Sequence, residues 1–414
     1  MTERLISCLG LLVMVACAWG LSENRSKANW RLVGMAVFLQ VTLGLLIMRT
    51  NFGPWLFGGV RDAFNLVTTA SNEGASFIFG ALTEVTVFNP EAIAGADSPF
   101  VLNAVVAFSV LPTIIVVSSL AGILYHLRII PFLVDAMRRL MQRTLGTSGP
   151  ETFGAAILVF MGIEGMSTLK GYLKTMSRSE LMVIMTAFMS TVAANVSLIY
   201  ASFGAEPGHL LSASLMSAPA AIMIAKLMVP EMNEASAVDG GALKVEVESH
   251  NVMDGAARGA SEGVMLALNI GAVLIAFVAL IFLLNTGATA LTGYSFTEMM
   301  GWVFRPFAWL MGAPADDVAA VGQLLGTKTV VNEFVAYGDM SAMVAAGTLS
   351  PRSVTIATYA LCGFANPGSL GILIAGLSGL VPERRKEITQ LGLKSLVAGT
   401  LAVFMTACIA GILG

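Results

Sequence analysis

Apolar stretches long enough to cross a bilayer recur along this chain, near residues 4–21, 31–49, 102–125, 179–203, 210–229, 263–285, 353–381 and 388–413. A helix needs about 20 mostly apolar residues to span the hydrocarbon, and backbone in lipid must satisfy its own hydrogen bonds. The sequence therefore predicts an all-α integral membrane protein with about eight transmembrane helices. Composition agrees: 56% of residues are hydrophobic and only 12% charged, against about 25% charged in a soluble domain. A net charge of −3 argues against nucleic acid as a partner. The first run, Leu5 to Leu21, lacks the strongly basic start of a secretory leader and reads as a span. Cys8, Cys17, Cys362 and Cys408 fall within apolar runs at no metal-type spacing, as small buried residues do.

Basic residues set the orientation. Arg25, Lys27 and Arg31 follow the first span, and His126, Arg128, Arg138, Arg139 and Arg143 follow the third. Lys170, Lys174 and Arg178 precede the fourth, and Arg384, Arg385 and Lys386 precede the last. The segment after the second span is acidic, with Asp62, Glu73, Glu84, Glu91 and Asp97. The positive-inside rule then puts 22–31, 126–178, 230–262 and 382–388 in the cytoplasm and both termini outside, with Arg305 and Arg352 against the rule.

Two apolar stretches cannot cross on that map. Residues 150–173 lie between cytoplasmic basic clusters, and 315–341 lie between Asp316, Asp317 and Asp339 on the outside. Each is expected to be a re-entrant helical hairpin, entering and leaving on one side. Polar residues sit within or beside these segments, where they are costly and usually face a cavity or a partner. Lys328, Asn332 and Glu333 interrupt the second hairpin, and Asn366-Pro367-Gly368-Ser369 interrupts the seventh span. Glu164 and Asn195 form a similar pair earlier; the separations Glu164 to Asn195 and Glu333 to Asn366 differ by two residues. Hairpin plus broken helix, used twice from opposite sides, is the inverted-repeat logic of secondary transporters.

Residues 52–72 and 128–145 are amphipathic and suit the interface. Tyr294, Trp302, Arg305 and Trp309, within 287–312, suit an aromatic belt. The loop 231–260 reads as a solvated connector, with a metal site at its carboxylates and His250 as the weaker alternative. No Gly-x-x-x-x-Gly-Lys-Ser/Thr loop occurs, which argues against ATP-driven pumping. His126, His209 and His250 lie at span ends or in loops, so no His-metal or Ser-His arrangement points to an enzyme.

The run Gly326-x-Lys328-x-x-x-Asn332-Glu333-Phe334-Val335-Ala336 resembles the signature of concentrative nucleoside transporters, and Ala360-Leu-Cys-Gly-Phe-Ala-Asn366 with Gly368-Ser369 is similar to that family's seventh-helix break. The likeness extends to the first two helices, the amphipathic segments and Leu391-Gly-Leu-Lys394. It implies import of nucleosides by symport with a cation, without a cofactor, by a homotrimer in the lipid of a bacterial inner membrane. Each protomer would hold a static scaffold and an elevator-like transport part. The implied segments are 1–126 (scaffold helices), 127–230 (first transport repeat), 231–286 (loop and scaffold helix) and 287–414 (second transport repeat). By the same resemblance Glu333, Asn332, Asn366 and Ser369 bind ribose hydroxyls, Phe364 flanks the base, Val196 packs on it, and Glu164 completes the polar cluster. The residue chemistry agrees, since a carboxylate accepts from hydroxyls and an amide both donates and accepts. Blander roles stay open: an ion pair between Glu333 and Lys328, plain packing for Phe364, and backbone satisfaction for Ser369.

The first hairpin departs from the family pattern. Gly162 and Ile163 stand where a polar base-contacting pair is usual, and Ile157 or Leu158 replaces the asparagine that helps hold sodium. Thr191 and Val192 remain as the fourth-helix half of a coupling-ion site. Proton coupling is therefore expected over sodium, with Glu164 or Glu333 as carrier, unless Asn195 rebuilds a sodium cage. Pro367 also replaces a frequent aromatic residue. The altered hairpin leaves a different small polar solute as the alternative substrate, and an uncoupled receptor or channel as the competing class.

Overall fold

A computed structural model of the protein describes residues 2–83, 86–88, 100–102, 106–109, 111–232 and 249–414. In chain order, α1 (Thr2–Gly20), α2 (Trp30–Arg49) and α3 (Phe52–Phe79) lead to a short antiparallel ribbon of β1 (Thr86–Phe88) and β2 (Phe100–Leu102). After α4 (Val106–Ser109) come α5 (Leu111–His126) and α6 (Ile129–Leu145), bent 74° from each other. The first hairpin runs from α7 (Gly149–Met161) through a 3-10 stretch, Gly162–Leu169, into α8 (Lys170–Leu173). Next are α9 (Arg178–Ser190), α10 (Ala194–Ser202), α11 (Pro207–Met228), α12 (Val252–Thr292) and α13 (Phe296–Leu310). The second hairpin is α14 (Val318–Val330) with α15 (Glu333–Ala345), and α16 (Pro351–Leu361), α17 (Pro367–Leu380) and α18 (Arg385–Leu413) follow.

The fold is essentially helical, with four departures from the sequence reading. The run 102–125 is not one helix: its described helix starts at Leu111, after the ribbon and α4. α12 starts at Val252, well before the apolar run at 263, because its first turns are polar and small. The helix from Phe52 runs to Phe79, past the amphipathic stretch. The return limb of the first hairpin is mostly 3-10, entered at Gly162 with φ 63°, a backbone that glycine adopts without strain. By length and composition five described helices can cross a membrane, six if the bent α5–α6 pair is one span. α9–α10 and α16–α17 are broken helices, interrupted at 191–193 and 362–366.

The chain forms two compact units. The first comprises Met1–Gly58, Pro131–Glu246 and Phe277–Gly414; the second Gly59–Ile130 and Val247–Ala276. In the second unit α5 and α12 meet backbone to backbone: a Cβ on Gly259 would lie 2.2 Å from the Ser118 carbonyl oxygen. Such small-residue seams let membrane helices approach closely.

In the first unit α9 beyond Arg178, most of α11 and the end of α18 are buried. α1 meets the end of α13, and α2 meets α11, through buried polar contacts. Ser7 Oγ donates to the Met311 carbonyl at 2.8 Å, and Gln40 Nε2 donates to the Met216 carbonyl at 2.8 Å. Two arginines close helix ends. Arg352 donates to the Gly312 (3.0 Å) and Gly411 (2.5 Å) carbonyls, and Arg384 donates to those of Leu173 and Met176, both at 2.7 Å. Arg352, which breaks the charge rule, is thus a cap for the ends of α13 and α18.

Each hairpin base is fastened by hydroxyl–carboxylate bonds. Glu151 accepts from the Ser148 N–H at 2.7 Å and pairs with Lys226 at 2.8 Å, and Ser148 Oγ donates to Glu180 at 2.5 Å. At the second hairpin Asp317 accepts from Ser350 Oγ at 2.5 Å and Ser353 Oγ at 2.6 Å. Between α1 and α2, the Arg178 guanidinium and then the Lys394 ammonium hold the Glu23 carboxyl below the usual carboxylate range. A lowered folded pKa adds stability that is present at neutral pH and lost as pH falls through the lowered value. Glu23→Gln should lower the thermal midpoint at pH 7, and the gap to wild type should close in acid; a gap constant with pH would sink the ion-pair account.

Candidate functional site

The two broken helices cross at the centre of the first unit. A Cβ on Gly363 would lie 2.9 Å from the Met189 carbonyl oxygen and 2.8 Å from a Val403 methyl, so only glycine lets the two breaks come this near. Breaking a helix in an apolar interior frees backbone groups that must find partners. Ser214 of α11 supplies them at the first break: its Oγ accepts from the Val192 N–H at 3.0 Å and donates to the Val192 carbonyl at 2.9 Å. Ser214 also lies 3.6 Å from Cys362 Sγ in the second break. Lys328, 1% exposed, serves the same purpose from the second hairpin, donating to the Ala360 carbonyl at 2.8 Å. That carbonyl bond, rather than an ion pair with Glu333, is its contact here.

Beside this crossing, the tip of the second hairpin presents its polar residues. Asn332 caps α15, accepting from the Val335 N–H at 3.0 Å, and Asn366 caps α17, accepting from the Ser369 N–H at 2.8 Å. With each oxygen used in capping, the two amide nitrogens are aimed elsewhere. Asn366 Nδ2 donates to Glu333 Oε2 at 2.7 Å, while Asn332 Nδ2 is buried without a partner. Glu333 Oε1 accepts from the Tyr200 hydroxyl at 2.8 Å. Glu333 is 2% exposed and Asn366 1%. The result is a buried carboxylate held by two neutral side-chain donors, with the amide nitrogen of Asn332 left without a protein partner. Such a group can accept from ligand hydroxyls while the amide donates to them.

The other expected site residues fall around the breaks. Phe364 is half-buried, its ring 5.5 Å from that of Phe188; Val196 is buried on α10. Ser369 is half-buried, in the first turn of α17. Gly162 begins the 3-10 stretch; the side chains of Ile163, Glu164 and Asn195 lie outside the described residues. Thr191 is turned inward, its Oγ1 donating to the Ala187 carbonyl at 2.8 Å. Ile157 and Leu158 are fully buried on the facing hairpin. Tyr200 and Ser214 were not anticipated from the sequence. A tyrosine and a serine inside membrane helices read as packing and as small-residue glue, and only the fold reveals their partners.

Three family models match the chain. One describes the C-terminus of Na+-dependent nucleoside transporters (residues 209–411), one their N-terminus (residues 9–82), and one nucleoside recognition (residues 107–207). The uncharacterized transporter YutK of Bacillus subtilis is 38% identical, with 97% of this chain and 98% of that protein covered. Solute carrier family 28 member 3 of Mus musculus is 37% identical over 99% of this chain. This chain spans 59% of that mammalian protein's length. Among solved structures, CNTnw in an inward-facing substrate-bound state superposes with a TM-score of 0.89 at 36% identity, over 99% of this chain and 98% of that one. A doubly substituted CNTnw in an outward-facing state gives 0.89 at 35%, over 100% and 98%.

Replacing Asn366 with Ala removes a donor to Glu333 and the cap of α17 together. Stability should fall by about 1–3 kcal/mol, read as denaturation of the detergent-solubilised protein. An unchanged midpoint would mean that water takes over both bonds.

Proposed function

The chain belongs to the Na+-dependent nucleoside transporter family, and from that premise we propose that it imports nucleosides by symport with a cation, the proton rather than sodium. The observation that carries the nucleoside half is the polar cluster at the hairpin tip. Glu333 offers acceptors to ribose hydroxyls, the unpartnered Asn332 Nδ2 offers a donor, and Asn366 and Ser369 stand at the adjoining helix start. Phe364 and Val196 supply apolar surface for the base. Membership in this family speaks against an enzyme.

The proton half rests on how oxygen atoms are spent around the first break. Sodium needs several oxygen ligands, yet Ile157 and Leu158 offer no side-chain oxygen, and the Val192 carbonyl already accepts from Ser214. Glu164 or Glu333 is then the proton carrier. Asn195, in the first turn of α10 after the break, is the residue from which a sodium site would be rebuilt. We further propose a homotrimer in the lipid of a bacterial inner membrane, working as an elevator in which the hairpin-bearing part moves. The buried contacts of α1 and α2 with α11 and α13 favour a moving part that carries these helices as well.

A second reading is a different small polar solute. Gly162 and Ile163, where the family pattern has a polar pair, favour it because they give a base nothing to hydrogen-bond with.

Uptake of radiolabelled uridine and adenosine into proteoliposomes, with sodium and proton gradients imposed separately, tests the substrate and the coupling ion. The expected result is accumulation under a pH gradient alone. Dependence on sodium would overturn the proton and implicate Asn195; no accumulation of either nucleoside would favour the other solute. Glu333→Gln should abolish nucleoside binding, and retained affinity would make Glu333 a structural residue.

A further inference from the structure

Tyr200 is fully buried, yet its hydroxyl is directed at the one carboxylate on which the nucleoside reading depends. We infer that Tyr200 is a positioning residue for Glu333 and sets how strictly the site demands sugar hydroxyls; the inference rests on the nucleoside reading above. Tyr200 belongs to α10, past the first helix break, while Glu333 opens the second limb of the second hairpin. The bond between them, 2.8 Å from Tyr200 Oη to Glu333 Oε1, therefore ties one repeat to the binding group of the other.

The ring is fixed without help from the hydroxyl. It stacks on Tyr337 at 4.7 Å and 22°, and meets Phe334 edge-on at 4.9 Å and 74°. Tyr337 is fixed in turn, donating to the Thr358 carbonyl at 2.8 Å beside the second break. Packing thus locates the ring, and the hydroxyl has a separate task. A carboxylate has about four acceptor positions, two on each oxygen. Tyr200 bonds Oε1 and Asn366 bonds Oε2, which fixes the plane of the carboxylate. Acceptor capacity held in a fixed plane suits the adjacent hydroxyls of a ribose. With Asn366 alone holding Oε2, the carboxylate would turn about its side-chain bond and the match would loosen.

The test compares uridine with 2′,3′-dideoxyuridine, measured as equilibrium binding to the purified full-length protein. Tyr200→Phe keeps both ring contacts and removes only the hydroxyl. It should weaken uridine about tenfold, the worth of one hydrogen bond to a charged group, and leave the dideoxy analogue nearly unchanged. Equal losses for both ligands, or no loss for either, would make Tyr200 a packing residue and overturn the inference. A wild-type protein that binds neither compound would remove the nucleoside reading itself, and this inference with it.

Discussion

Helix breaks inside an apolar core release backbone N–H and C=O groups where no bulk water can reach them, and the rest of this structure follows from how they are satisfied. Each unpaired group would cost several kcal/mol in such surroundings, roughly the whole margin of a marginally stable fold. The chain answers with side chains that do double duty. Ser214 serves both backbone groups of Val192, Lys328 takes the Ala360 carbonyl, and Tyr337 takes that of Thr358. Asn332 and Asn366 cap the helices that restart after the gaps. The polar residues needed to break the helices are thereby the ones that build a site. Their oxygens serve the backbone, and their nitrogens are left for the carboxylate or for a ligand.

This sharing also bears on the cation. An oxygen already bonded to a hydroxyl has one lone pair fewer to give an ion. Around the first break the Val192 carbonyl is engaged by Ser214, and the hairpin that faces it is apolar at Ile157 and Leu158. The proton reading proposed above rests on this sharing of oxygens.

Much of this was legible in the sequence, for reasons that differ from residue to residue. Glu333, Asn332 and Asn366 stood out because charged and amide side chains in apolar runs have few uses. The hairpins were legible from the charges at their ends. The 3-10 limb of the first carried no periodic signal, and the early start of α12 was hidden because an apolar scan ignores the small and polar residues from Val252 to Glu262. The ribbon of β1 and β2 was hidden because two strands of three residues are too short to carry an alternating pattern. Tyr200 and Ser214 were illegible for a deeper reason. Their roles depend on partners more than a hundred residues away for Tyr200 and on a break in another helix for Ser214, and nothing local distinguishes them from packing.

The arginine caps carry a consequence for the order in which the molecule is completed. Arg384 closes the exit of the first hairpin by binding the carbonyls of Leu173 and Met176, which lie 211 and 208 residues earlier. During synthesis the first hairpin therefore enters the membrane with these carbonyls still waiting for their partner. It reaches its final hydrogen bonding only when the start of α18 emerges. The first hairpin is finished by the segment that opens the last helix, so these two parts of the chain are not independent folding units.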